Sequence, residues 1–140
     1  MSAAHVPAAL RRAVCERARG CCEYCLLHEE DAFFPHEPDH VVAAKHGGLT
    51  AADNLALACL ECNRHKGSDL SSIDPVTGAL TPLFDPRAQS WCEHFEAVDG
   101  TILGKNPVGR VTAALLRFNA PARVEARRTL ASQGRWPPRT

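Results

Sequence analysis

Apolar and polar positions alternate along this chain in short blocks, separated by glycine and proline. After Pro7, the residues Leu10, Val14 and Ala18 recur at i, i+4 and i+8, which predicts a helix over Pro7–Arg19 with Gly20 as its C-cap. Residues 26–38 are polar and proline-containing, with Phe33-Phe34 as their one strong strand signal. Asp39–Val42 reads as a short strand. The Gly47-Gly48 pair makes Lys45–Leu49 a turn that no helix tolerates. Thr50 is placed to cap a single helical turn over Ala51–Asn54, and Leu55–Cys59 then leads into a helix from Leu60 to Gly67. Asp74-Pro75 and Thr77-Gly78 punctuate a connector, followed by a hairpin around Ala79–Phe84. The arms WCEHFEAV and TIL flank Asp99-Gly100, a two-residue hairpin signal. Two helices close the chain: Pro107–Phe118, with Val111, Leu115 and Phe118 near helical spacing, and Pro121–Ser132, with Val124 and Leu130. The expected architecture is α+β without internal repeats.

Composition narrows this picture. With 140 residues, 45% hydrophobic and 23% charged, the chain has the make-up of one soluble globular domain. Aromatic residues and methionine are scarce, so the core leans on Ala, Leu and Val, and a bound metal is expected to supply part of the stability. No apolar run approaches the roughly 20 residues needed to span a bilayer. The N-terminal basic residues follow the apolar ones, unlike a secretory signal, so a cytoplasmic location with reduced thiols is expected. A net charge of zero hides an asymmetry. Residues 1–104 carry eight Lys and Arg against fifteen Asp and Glu, net −7, and residues 105–140 carry eight against one, net +7. Such a basic segment faces a polyanion, forms a solvated helix face, or folds back on the acidic part; the polyanion is the expectation only because of the motifs between the cysteine pairs described below.

Seven cysteines are present, four of them in Cys-x-x-Cys pairs: Cys22/Cys25 and Cys59/Cys62. Each such turn puts two thiolates on one side of an ion, and two turns complete the tetrahedral four-cysteine set of structural zinc. The bland reading is four buried thiols or a redox pair. Cys21 as a ligand would break the spacing, and Cys15 and Cys92 are expected to be small buried residues.

Between the knuckles lie Asp39-His40, Gly47-Gly48 and Asn54-Leu55, and the second knuckle continues as Cys62-Asn63-x-x-Lys66. An imidazole titrating near neutrality can take a proton from water, and a carboxylate beside it offers Mg2+ or Mn2+ a hard oxygen ligand. Neighbours on a strand point to opposite faces, so metal and water would have to straddle the strand at Asp39-His40 or its backbone would have to be irregular.

This order of motifs resembles the HNH endonuclease family, over about Arg12 to Gly67. The resemblance implies a ββα-metal (His-Me finger) core at residues 12–70, stapled by structural zinc and carrying an N-terminal helix and a C-terminal hairpin and helices. It further implies metal-dependent hydrolysis of DNA, with RNA an open alternative. In its terms His40 is the general base, Asp39 and Asn63 hold the catalytic Mg2+ or Mn2+, and Asn54 holds the loop carrying the base. Asn63 stands where histidine is usual, and Ala43-Ala44 stands where proline often follows Asp-His. Lys66 and His46 are candidate phosphate contacts, each also readable as an ordinary solvated side chain. Arg110 and Arg117 are candidates along a nucleic-acid path, as are Trp91, Arg127 and Arg128, although core packing is the expected role of Trp91. Residues 82–138 resemble the C-terminal extension of a bacterial, notably cyanobacterial, group of small HNH proteins, a likeness that assigns no chemistry. The competing expectations are a zinc-stabilised nucleic-acid-binding module without turnover and a protein-docking module.

Overall fold

The computed structural model describes residues 5–139. Helix α1 (Ala8–Arg17) ends where Arg19 and Gly20 take left-handed φ values of 55° and 73°, and Gly20 N–H closes back on Cys15 O. This turn delivers the chain into the first knuckle, as the glycine cap anticipates. Strands β1 (Glu37–His40) and β2 (Leu55–Ala58) pair antiparallel, and α2 (Leu60–Lys66) follows at once, completing a ββα unit. Beyond it come two more hairpins, β3 (Ser71–Ile73) with β4 (Leu80–Pro82), and β5 (Phe95–Val98) with β6 (Thr101–Gly104), with the one-turn helix α3 (Trp91–His94) just before β5. Helices α4 (Pro107–Leu115) and α5 (Pro121–Ser132) complete the α+β fold.

Strand β2 is buried throughout and divides two apolar layers. Leu55 and Leu57 pack with Val6 and Val14 against α1. Ala56 and Ala58 turn the other way, into a larger core of Cys22, Cys25, Cys59, Cys62, Tyr24, Phe84, Phe95, Ile102, Leu116, Phe118 and Trp136. Small alanines on that face leave room for the four cysteines. The C-terminal helices are therefore built into the same core as the knuckles, through Leu116, Phe118 and Trp136.

Several local expectations are corrected. Phe33 and Phe34 lie in no strand but on a loop, with Phe33 fully exposed. The turn before β2 is a 3-10 turn over Ala52–Asn54 whose N-cap is Ala51 without a side-chain cap; the Thr50 hydroxyl is engaged elsewhere. The connector hairpin pairs Ser71–Ile73 with Leu80–Pro82 rather than sitting wholly within 79–84, because Asp74 folds its turn by accepting from the Val76 and Thr77 amides. The arm beginning at Trp91 starts as a helical turn. There the Trp91 indole donates to Tyr24 O and its ring lies 5.1 Å from that of Phe95, which holds it in the core as expected. Cys92 is exposed and Cys15 only half-buried, so neither is a core residue.

Three arginines of the basic C-terminal segment fold back on the acidic part. Arg110 pairs with Asp74, Arg128 with Asp99, and Arg135 with Asp31. Arg127 is buried, donating to Gly100 O and Phe118 O.

Candidate active site and metal centre

Two knuckles bring four sulfurs together. The Sγ atoms of Cys22, Cys25, Cys59 and Cys62 all lie within 4.8 Å of one another and are buried, with Cys25 Sγ 3.7 Å from Cys59 Sγ. Four sulfurs about 2.3 Å from a central zinc would stand about 3.8 Å apart, so the cluster has the dimensions of a tetrahedral metal site. In each knuckle the fourth residue's amide points at the first sulfur: Cys25 N–H to Cys22 Sγ at 3.5 Å, and Cys62 N–H to Cys59 Sγ at 3.4 Å. Cys59 is also the N-cap of α2, so the helix amides that need partners turn toward sulfur. Burial pushes the Cys22 and Cys62 thiols up, whereas hydrogen bonds with the other three cysteines hold Cys25 well below its ordinary value. A bound dication would favour the thiolate at all four. Cys21 is buried outside the cluster, with its thiol directed at Arg19 O.

Asp39 and His40 end β1. In the antiparallel register Asp39 faces Ala56 and His40 faces Leu55, so Asp39 looks toward α2 and the knuckles, and the His40 ring alternates to the other side. The strand stops at His40 and the chain bends at Val41 and Val42. Both side chains are buried. His40 Nε2 lies 2.8 Å from Thr50 Oγ1, and its Nδ1 has no partner among the described residues. Asp39 Oδ2 and Asn63 Oδ1, the latter from the first turns of α2, are likewise buried without a partner among the described residues. Buried polar atoms are nearly always satisfied; of the six buried side-chain atoms without a partner among the described residues, these three fall on residues singled out by sequence, and the others are Tyr24 Oη, His36 Nδ1 and Arg87 Nε.

Lys66 shows why Asp39 is unsatisfied. It is buried at the end of α2 and donates to Val41 O at 3.1 Å and His40 O at 3.4 Å, fastening the end of β1 to the helix. Its Nζ stands 4.0 Å from Asp39 Oδ2, too far for a hydrogen bond. Burial raises the Asp39 pKa against the opposing charges of Lys66 and His40, and burial lowers that of Lys66 against Asp39. In each case burial outweighs the mutual attraction of the two groups, which works the other way. A carboxylate and an amide oxygen form a hard donor set suited to Mg2+ or Mn2+.

Asn54 organises the loop between the two strands. Its Oδ1 accepts from Val42 N–H at 3.0 Å, and its Nδ2 donates to Val42 O and Leu49 O, both at 2.9 Å. Gly48 is required where this loop closes, because a Cβ there would lie 1.7 Å from Val42 O and 2.8 Å from Asn54 Nδ2.

Residues 22–69 match the family model described as HNH endonuclease. This segment belongs to that family. The match covers about a third of the 140 residues, and the four-cysteine cluster fits a zinc-stapled HNH subgroup. No curated protein and no solved structure matches the chain.

Within the HNH segment Lys66 lies beside Asp39 and the His40 and Val41 carbonyls, Asn63 stands on the same helix, Asn54 holds the loop, and the four cysteines form one cluster. Lys66 lies inside, against backbone, not on a phosphate-facing surface. His46 is exposed on the loop before Gly47, Arg110 is bound to Asp74 through two nitrogens at 2.9 and 3.1 Å, and Arg117 is exposed with a left-handed φ of 53°. Two residues escaped sequence reasoning. Thr50, the partner of His40, carries no signal beyond its place in the loop. Arg123 donates to Cys62 Sγ at 3.1 Å; its i, i+4, i+7 spacing with Arg127 and Leu130 already placed two arginines on an otherwise apolar helix face. A cavity of about 810 Å³ opens beside the first knuckle, between Arg19, Trp91 and Pro137, and is not lined by Asp39, His40 or Asn63.

Proposed function

We propose that this protein is a divalent-metal-dependent endonuclease that hydrolyses phosphodiester bonds in DNA, with a Cys22/Cys25/Cys59/Cys62 zinc holding its core. The observation that carries this reading is the set of orphaned buried atoms, Asp39 Oδ2, His40 Nδ1 and Asn63 Oδ1, on the positions where an HNH site keeps its base and metal ligands. A divalent cation held by Asp39 and Asn63 would supply positive charge for the phosphate and the leaving oxygen.

The protein's own residues have the following parts. With the proton of the neutral imidazole on Nε2, donated to Thr50 Oγ1, the His40 Nδ1 lone pair is free to take a proton from the attacking water. Lys66 holds the His40 and Val41 carbonyls, which fixes the strand end from which the ring projects. Asn54 fixes Val42 and Leu49, and with them the loop bearing Thr50. Strand alternation points the Asp39 and His40 side chains to opposite faces at the end of β1, so a phosphate served by both residues would have to reach the strand end. His46, exposed on the same loop, and Arg117 are left as contacts to the nucleic-acid backbone.

The test uses a labelled DNA duplex and zinc-loaded protein, with Mn2+ binding measured in parallel. Wild type should bind Mn2+ and cut, whereas Asp39→Ala and Asn63→Ala should lose both while keeping zinc. Binding of duplex without cleavage in any metal would instead identify a nucleic-acid-binding module that has kept the fold without turnover.

A further inference from the structure

Arg123 lies on α5, far outside the segment that matches the family, yet its guanidinium reaches the sulfur cluster. Nη2 stands 3.1 Å from Cys62 Sγ and 3.8 Å from Cys59 Sγ. Nη1 donates to Leu116 O at 2.7 Å, at the C-cap of α4, and to Arg117 O at 3.0 Å, which also accepts from Ala120 N–H. The group also stands 5.8 Å from the centre of the Phe118 ring. One planar fork thus joins the second knuckle to the turn between the two C-terminal helices.

Four thiolates around a dication leave an excess of about two negative charges in a core lined by Tyr24, Phe84, Phe95 and Phe118. Burying uncompensated charge is unfavourable, and N–H donors to the sulfurs are what offsets it. A guanidinium is suited to the place, because it stays charged when buried and offers parallel donors to sulfur and carbonyl at once. We propose that Arg123 is an outer member of the metal centre: it donates to the Cys59 and Cys62 thiolates, retards metal loss, and makes docking of α4 and α5 depend on the occupied cluster. The proposal rests on the zinc reading of the four cysteines. It assigns a role to the C-terminal helices, which the family match does not cover.

The experiment compares full-length wild type, Arg123→Gln, Arg123→Lys and Arg127→Gln. Zinc content, the rate of zinc transfer to a chromophoric chelator, and the sulfur-to-metal charge-transfer band of the Co2+-substituted protein are recorded. Arg123→Gln should release zinc about ten-fold faster and move the band to lower energy, because thiolates relieved of a donor are stronger electron donors. Arg123→Lys keeps the charge without the fork and should fall between; it also serves as the decisive variant if Arg123→Gln does not fold. Arg127→Gln removes a buried arginine of the same helix that touches backbone carbonyls, Asn119 and the Trp136 ring but donates to no sulfur, so it should lower thermal stability and leave the band in place. Wild-type release rate and band in a folded Arg123 variant would overturn the proposal, as would an equal band shift in Arg127→Gln. Wild type purified and reconstituted without zinc uptake would overturn the zinc reading itself, which separates that failure from the first two.

Discussion

Replacing Asn54 with alanine removes three hydrogen bonds at once, those to Val42 N, Val42 O and Leu49 O. Each such bond contributes about 1 kcal/mol net, and leaving the partly buried Val42 groups without partners adds to the loss, while water can replace the asparagine at the more exposed Leu49 O. We therefore expect destabilisation of about 2–3 kcal/mol. A domain of this size holds roughly 7–20 kcal/mol in total, so the variant should fold and can be studied. The functional effect should exceed the stability effect. The Asn54 bonds fix the bend directly after His40 and the loop carrying its partner Thr50, and a misplacement of about 1 Å can reduce a rate about 10²-fold. Asn54→Asp should be worse than Asn54→Ala, because a carboxylate would face two carbonyl oxygens where the amide now donates. Urea denaturation followed by tryptophan fluorescence gives the stability change, and single-turnover cleavage of a saturating duplex gives the rate. Wild-type stability together with a wild-type rate in Asn54→Ala would refute the reasoning, and so would Asn54→Asp matching the wild type.

Gly48→Ala brings a methyl group against Val42 O and the Asn54 amide, and should destabilise by about 1–3 kcal/mol or more and slow cleavage; thermal melting and the same cleavage assay check both. Cys59→Ser removes one knuckle sulfur and the sulfur cap of α2, so zinc content should fall and the near-ultraviolet dichroism of the core should collapse; a folded, metal-free variant would count against the zinc reading. Asp74 is covered by its own turn and by Arg110, and its bonds to Arg110, aided by Thr77 and the Val76 amide, hold its carboxyl well below the usual carboxylate range. Because its pKa is depressed by folding, the unfolded chain binds the proton more readily, so the stabilisation is present above about pH 4 and is lost as the pH falls further. The stability gap between wild type and Arg110→Ala should accordingly narrow below about pH 4, and a gap independent of pH would contradict this role.

The segment from α1 to α2 was legible because short-range rules and long-range chemistry agree there. Gly20 stops the helix, Gly47-Gly48 forces the turn, and two Cys-x-x-Cys turns must meet if they share a metal. The Asp99-Gly100 hairpin and both terminal helices were also written locally, the former as paired positive φ values of 46° and 85°. What was not legible depends on partners distant in sequence. Nothing near Thr50 announces that its hydroxyl meets His40 rather than the next helical turn. Lys66 reads as a surface lysine until α2 packs on β1 and its ammonium closes on two carbonyls. Charge counting along the basic C-terminal segment ignores pairing. Asp31, Asp74 and Asp99 lie 104, 36 and 29 positions from their arginines, and only the folded chain joins them. Phe33-Phe34 has strand propensity but no neighbouring strand to pair with, and it stays outside.

We propose His40 as the base of a metal-dependent phosphodiester hydrolysis. Its most direct test is the conversion of supercoiled plasmid to nicked circles by zinc-loaded protein in Mg2+, Mn2+ or EDTA, with wild type and His40→Ala purified side by side. Nicking is expected in the presence of either divalent ion, none in EDTA, and loss of nicking in His40→Ala at unchanged zinc content. Nicking that survives His40→Ala, or its absence from wild type in every metal, would contradict it.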